Sequence, residues 1–108
     1  MLKIDQLRSV MELYPSTIWA KRAGVVLGVL RIEREPVEAA KLLRVVQPDM
    51  PVLDDYLRLW IGESLLKQNE PIQAAELLET IPKIVPDSSL IAKAAYRTGE
   101  AWYSANVC

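Results

Sequence analysis

Residues 35–43 read EPVEAAKLL, and residues 70–78 read EPIQAAELL. Six of the nine positions are identical at a separation of 35, and Val37 is answered by Ile72. Duplication at a fixed period marks an internal structural repeat. Each copy opens on a proline, which fits a first helical turn because no N–H is needed there. Each then carries an alanine pair and a leucine pair at the spacing of one helix face.

The other prolines keep the same register. Pro48 and Pro82 close the two copies at a spacing of 34, and Pro15, Pro51 and Pro86 precede the next apolar stretch at spacings of 36 and 35. Proline removes a backbone donor and clashes with the preceding turn, so it belongs at helix boundaries. Two helical stretches per period of about 35 residues predict an all-α fold, an antiparallel helix-hairpin solenoid. Helices are expected at about residues 2–13, 18–32, 36–47, 52–67, 71–82 and 89–105. That is one domain: a lone leading helix, two hairpins and a lone trailing helix. Both ends then look cut, as in a fragment of a longer protein.

Each stretch carries its own reasons. Leu2, Ile4, Leu7, Val10, Met11 and Leu13 recur at helical spacing until Tyr14-Pro15 stops them. The next helix, capped by Ser16 or Thr17, contains Gly24 and Gly28. Each glycine costs roughly 1 kcal/mol of helix propensity. Either a neighbouring backbone approaches closely there, or the helix is weak. Around residue 60, Leu53, Leu57, Trp60, Ile61 and Leu65 form one stripe and Tyr56, Leu59, Glu63 and Leu66 another, so this helix needs two packing partners. Gly62 follows Gly28 by 34 residues and invites close crossing. Asp54 and Asp55 fall in a first turn, where carboxylates complement the helix dipole. Ser88 is the expected cap of the last helix, with Leu90, Ala94, Ala95, Thr98 and Trp102 on its inner face.

Composition limits the function. In 108 residues, 51% are hydrophobic, enough for a core, and 13 basic against 14 acidic residues give a net charge of -1. No basic run provides a footprint for nucleic acid. No apolar run reaches the ~18 residues that a membrane span needs. The start, MLKID, lacks a signal-peptide layout, as a mature segment also would. With no histidine and one cysteine, Cys108, there is no material for a Cys/His zinc site, a Ser-His-Asp triad, a Cys-His dyad or an intrachain disulfide. No cofactor or metal is implied.

Residues 56–86 (YLRLWIGESLLKQNEPIQAAELLETIPKIVP) resemble a tetratricopeptide repeat: small Gly62 late in the first helix, Ala74 early in the second, Leu78 one turn on, and a closing Pro86. Pro86-Asp87-Ser88 leading into AYRTGEAWY at residues 95–103 looks like the variant found in bacterial envelope proteins. Arg58, Pro71 and Leu27 depart from the pattern, standing where the family usually has a large apolar residue, an aromatic and a glycine. Residues 51–65 (PVLDDYLRLWIGESL) are similar to the amino-terminal helical region of bacterial soluble lytic murein transglycosylases. That resemblance implies a non-catalytic superhelical scaffold preceding a lysozyme-like domain that cleaves peptidoglycan in the periplasm. A tetratricopeptide-type adaptor that grips a protein or peptide partner is the alternative.

The residues themselves argue against catalysis. Glu63-Ser64 matches the two-residue start of the transglycosylase catalytic motif, but the glycine-rich loop and GLMQ-like stretch that complete it are absent. Asp54 and Asp55 point about 100° apart on a helix, so they do not form a carboxylate pair. Trp60 and Trp102 fall on leucine stripes, which makes them core residues before sugar platforms. In a solenoid the first helices line a concave face. Spacing places Lys21 and Arg31, with Gly24 and Gly28, then Tyr56, Leu59, Glu63 and Leu66, then Lys93, Tyr96, Glu100 and Tyr103 as groove candidates. Apolar rows on the unpaired end helices are expected to favour self-association.

Overall fold

The computed structural model describes Gln6, Arg8 and residues 18–106, with side chains from Ala20 onward apart from those two. The expected helix at residues 2–13 lies outside the described residues except for Gln6 and Arg8, both helical. The Trp19 side chain and Cys108 also lie outside them. Five helices of eight residues or more follow: α1 (Ile18–Arg31), α2 (Pro36–Val46), α3 (Asp54–Lys67), α4 (Pro71–Leu78) and, after the four-residue α5 (Ile81–Ile84), α6 (Ile91–Asn106). No strand occurs among the described residues, so the fold is all-α.

The duplicated segments adopt the same structure. Glu35 and Glu70 precede them with φ/ψ of -134/65° and -116/65°. The carbonyls of these glutamates accept the N–H of Ala39 at 2.9 Å and of Ala74 at 3.1 Å. Ala39, Leu43, Ala74 and Leu78 are completely buried, whereas Val37 and Ile72 are 52% and 53% exposed. Each helix thus turns the same alanine-leucine edge inward.

Those leucines meet the glycines. A Cβ built on Gly28 would stand 2.8 Å from Leu43 Cγ and Cδ2; one on Gly62 would stand 2.6 Å from Leu78 Cδ2 and 2.8 Å from Cγ. Carbon atoms in good contact sit ~3.5–4.0 Å apart. Glycine is therefore what permits α1 to lie against α2 and α3 against α4 at these separations. Of the two expectations for Gly28, close approach is the one observed.

Successive helices then pack in chain order: α1 on α2, α2 on α3, α3 on α4 and α4 on α6. The main core joins Val25, Leu43, Val46, Leu57, Ile61, Leu65, Ala74, Ala75 and Ala101, so it runs through every helix from α1 to α6 except α5. The two hairpin turns differ. Between α3 and α4, Asn69 adopts φ 63°, and the N–H groups of Asn69 and Glu70 donate to the carbonyls of Leu66 and Leu65 at 3.1 and 2.9 Å. This is the Schellman closure, with asparagine where glycine is commonest. Between α1 and α2 the Glu35 N–H instead donates to the Arg31 carbonyl.

Three expectations need correction. The helix predicted over residues 71–82 breaks after Leu78, because Pro82 lacks an N–H and its ring would clash with the carbonyl four residues back. Thr80 fills the break: its hydroxyl donates to the Leu77 carbonyl and accepts from Arg58 Nη1 at 2.8 Å. Arg58 also donates through Nε to Asp54 at 2.7 Å, which accounts for a charged residue in a usually apolar place. On α6, Ala95 and Trp102 face outward, not inward; Ala94 and Ala101 are the buried residues, with Leu90 packed beside them. The elements packed on α6 all lie on its Ala94–Ala101 side. Trp60 is half-buried against the main core, its ring tilted over Tyr56 at 5.6 Å.

Candidate functional site

A cleft of about 310 Å³ opens between the turn after α1, α3 and α6. Its lining is Glu33, Glu63, Leu66, Lys67, Arg97, Glu100 and Ser104. Position along each helix explains the set: Glu63, Leu66 and Lys67 lie within one turn of α3, and Arg97, Glu100 and Ser104 recur at three and four residues along α6.

The charges in the cleft are paired. Arg97 holds two carboxylates, Glu100 at 2.6 Å and Glu63 at 3.6 Å. Its Nε is buried with no acceptor, and its guanidinium lies 5.6 Å from the centre of the Tyr96 ring. Lys67 reaches Glu33 at 3.1 Å, which links α3 to the turn after α1. The Lys67–Glu33 pair is exposed on both sides and stabilises little, about 0–1 kcal/mol. Glu63 is thus engaged with a guanidinium, not isolated in an apolar pocket as a carboxylic acid that protonates a glycosidic oxygen needs to be.

Of the residues expected in the groove, Glu63, Leu66 and Glu100 line the cleft together. Leu59 does not belong there: it is 2% exposed and packs with Leu78, Ile81 and Ala94. It shares a face with Glu63, about 40° away, but sits one turn nearer the start of α3, where α4 and α6 cover it. Tyr56, Tyr96, Lys93 and Tyr103 are exposed outside the cleft lining, and Lys21 is half-buried on α1. Arg31 turns to Glu35, its i+4 neighbour. Arg97, Lys67, Glu33 and Ser104 were missed. Arg97 and Ser104 follow Lys93 and Glu100 by one turn each, so the groove face of α6 lies about 50° of rotation away from the tyrosine side on which spacing places it.

A second junction ties the repeat together. Asp55, 8% exposed, accepts the Ser88 hydroxyl proton at 2.6 Å, and Ser88 Oγ accepts the Leu90 N–H at 3.0 Å. Ser88 thus satisfies the N–H of Leu90 just ahead of α6, which begins at Ile91, two residues later than expected, and ties the approach to α6 to the start of α3. Asp54 meanwhile bonds Gln47 and Arg58. The neighbouring carboxylates serve different partners.

Two further hollows lie on the opposite side of α3, over Asp54 and Arg58 (about 540 Å³) and over Ile61 and Leu65 (about 340 Å³). Among the described residues no three His, Cys, Asp or Glu side chains form a metal-binding group, and no helix is long and apolar enough to cross a membrane. The structure and cleft define a class, an all-helical protein with a mixed-charge interhelical cleft. Beyond that class, no family model matches the chain, and neither characterised proteins nor solved structures include a significant match.

Proposed function

We propose that this chain is a non-catalytic scaffold, a tetratricopeptide-like solenoid whose concave side receives another protein segment. The observation that supports it is the repeated seating of Leu43 on Gly28 and Leu78 on Gly62, which gives the two hairpins the same internal packing, as copies of one repeat unit would have. The cleft along the first helices supplies paired charges, Leu66 and Ser104 within reach of one extended strand. An extended peptide with alternating charge suits it, because each peptide charge meets an opposite one as an internal pair opens.

The setting follows the sequence resemblance: the scaffold serves a periplasmic lytic transglycosylase, shaping access of peptidoglycan to a catalytic domain elsewhere. Reading the parent gene for a glutamate-serine motif followed by a GLMQ-like run tests this, and finding only further repeats discards it in favour of the adaptor. For the groove itself, Arg97→Ala should weaken capture of a selected peptide at least tenfold with no loss of helicity. Unchanged capture would remove the cleft from the function.

A further inference from the structure

One carboxylate of the cleft is short of partners. Glu63 precedes Lys67 by four residues on α3, the order that favours a helical ion pair, yet Lys67 reaches Glu33 at 3.1 Å instead. Arg97, the other cation of the lining, sits on Glu100 at 2.6 Å and stands 3.6 Å from Glu63, beyond hydrogen-bond reach. Glu63 is nevertheless well covered, its side chain 23% exposed.

The other covered carboxylates are satisfied. Asp54, Asp55, Glu79 and Glu100 are the remaining partly or fully buried acids among the described residues, and each accepts a side-chain hydrogen bond. Asp54 accepts from Gln47 and Arg58, Asp55 from Ser88, Glu79 from Trp102 and Glu100 from Arg97. Glu63 accepts none from any described residue. A charge taken partly out of water and left without a donor is stabilised by a cation that can donate to it. The charge count agrees: the lining sets Glu33, Glu63 and Glu100 against Lys67 and Arg97, one negative charge in excess. Leu66, half-buried and less than one turn along α3 from Glu63, gives the cleft an apolar wall beside that carboxylate.

We propose that the centre of the cleft selects a basic residue, a lysine or arginine side chain of the bound segment. Its charged end donates to Glu63 and its methylene stem lies along Leu66, as long cationic side chains cover apolar surface with their stems. The added charge brings the lining to neutrality. An aspartate or glutamate in the same place would set a further negative charge beside Glu63, and a divalent metal ion finds no group of three carboxylates there among the described residues. The inference rests on the reading of the cleft as a peptide groove and names the residue class that the groove chooses.

The probes are nonapeptides of random sequence, displayed on phage and selected on the full chain. Selection should enrich lysine or arginine at one position, and on Glu63→Gln that preference should disappear. In the tightest binder, exchanging that basic residue for norleucine keeps the stem and removes the charge. Affinity measured by calorimetry should then fall at least about tenfold for the parent chain and stay level for Glu63→Gln. A second measurement needs no substitution in the protein: the side-chain carboxyl carbon of Glu63 should shift in NMR spectra when the basic peptide binds, and not when the norleucine peptide does. In Arg97→Ala the tenfold ratio between the two peptides should persist, because Arg97 competes for Glu63 and does not hold the basic residue. The inference is overturned, with the groove itself still standing, if acidic or uncharged residues are enriched instead, if the norleucine peptide binds as tightly, if Glu63→Gln keeps the preference, or if Arg97→Ala abolishes the ratio. If no peptide is enriched, or if the enriched ones bind without shifting any resonance of the cleft, the groove reading falls and the inference falls with it.

Discussion

Replacing Gly62 by alanine tests the packing of the repeat, and Gly99 supplies its control. In a helix interior, glycine to alanine gains about 1 kcal/mol from backbone entropy alone. Gly99 lies mid-helix with nothing within 4 Å of the new methyl group, so Gly99→Ala should collect that gain whole. At Gly62 the methyl would stand 2.6–2.8 Å from Leu78 Cδ2 and Cγ, roughly 1 Å inside contact distance. Leu78 cannot swing away cheaply, because it is 0% exposed and packed with Leu59, Ile81 and Ala94. Overpacking of this kind costs typically 1–3 kcal/mol. Gly62→Ala should therefore end between neutral and a loss of about 2 kcal/mol, and Gly28→Ala should behave alike against Leu43. The difference between the Gly62 and Gly99 variants cancels the entropic gain and isolates the contact at about 1–3 kcal/mol, at least about 4 °C in unfolding midpoint. Urea denaturation of the three variants measures it, with Leu78→Ala as the background in which the Gly62 penalty should vanish. If Gly62→Ala stabilises as much as Gly99→Ala, the close seating of leucine on glycine is wrong and the repeat loses its physical basis.

Three further outcomes follow from other contacts. Asn69→Ala should cost about 1–2 kcal/mol, since alanine resists the left-handed conformation that closes α3, while Asn69→Gly should cost nothing or gain slightly; equal losses would refute the strain argument. Asp55 and Ser88 should couple by at least about 0.5 kcal/mol in a double-mutant cycle of Asp55→Asn and Ser88→Ala, because each is the other's partner across two helices; additive losses would mean that the bond does not hold α6 to α3. Trp60→Ala should lose about 2 kcal/mol, less than the ~3–5 of a fully enclosed tryptophan, and a loss above 4 would place the ring deeper than its half-buried position.

From Ile18 onward the order of the helices was legible without coordinates, apart from the break after Leu78. The duplicated nonapeptides with their opening prolines and the hydroxyl of Ser88 act through the local backbone: a missing N–H or a hydroxyl near a free N–H has the same consequence in any tertiary setting. The same holds for Ala39 and Ala74, whose small size at a repeated place already implied close helix approach. Helical periodicity also named Glu63, Leu66 and Glu100 as neighbours on one face, and they meet in the cleft.

Tertiary structure decided the rest. Periodicity says that α6 is apolar on two sides, but only the placement of α4 determines that Ala94 and Ala101 are covered while Ala95 and Trp102 are not. Leu59 and Glu63 sit one turn apart on α3, and whether each meets solvent depends on where α4 and α6 cross it, which no local signal records. Arg97 carries no sequence mark of its own. It becomes the centre of the cleft because the crossing of α6 over α3 brings Glu63 within reach of a guanidinium already bound to Glu100. Local chemistry dictates where helices start and stop, whereas the partner of each exposed face is set by long-range packing that depends on the whole chain at once.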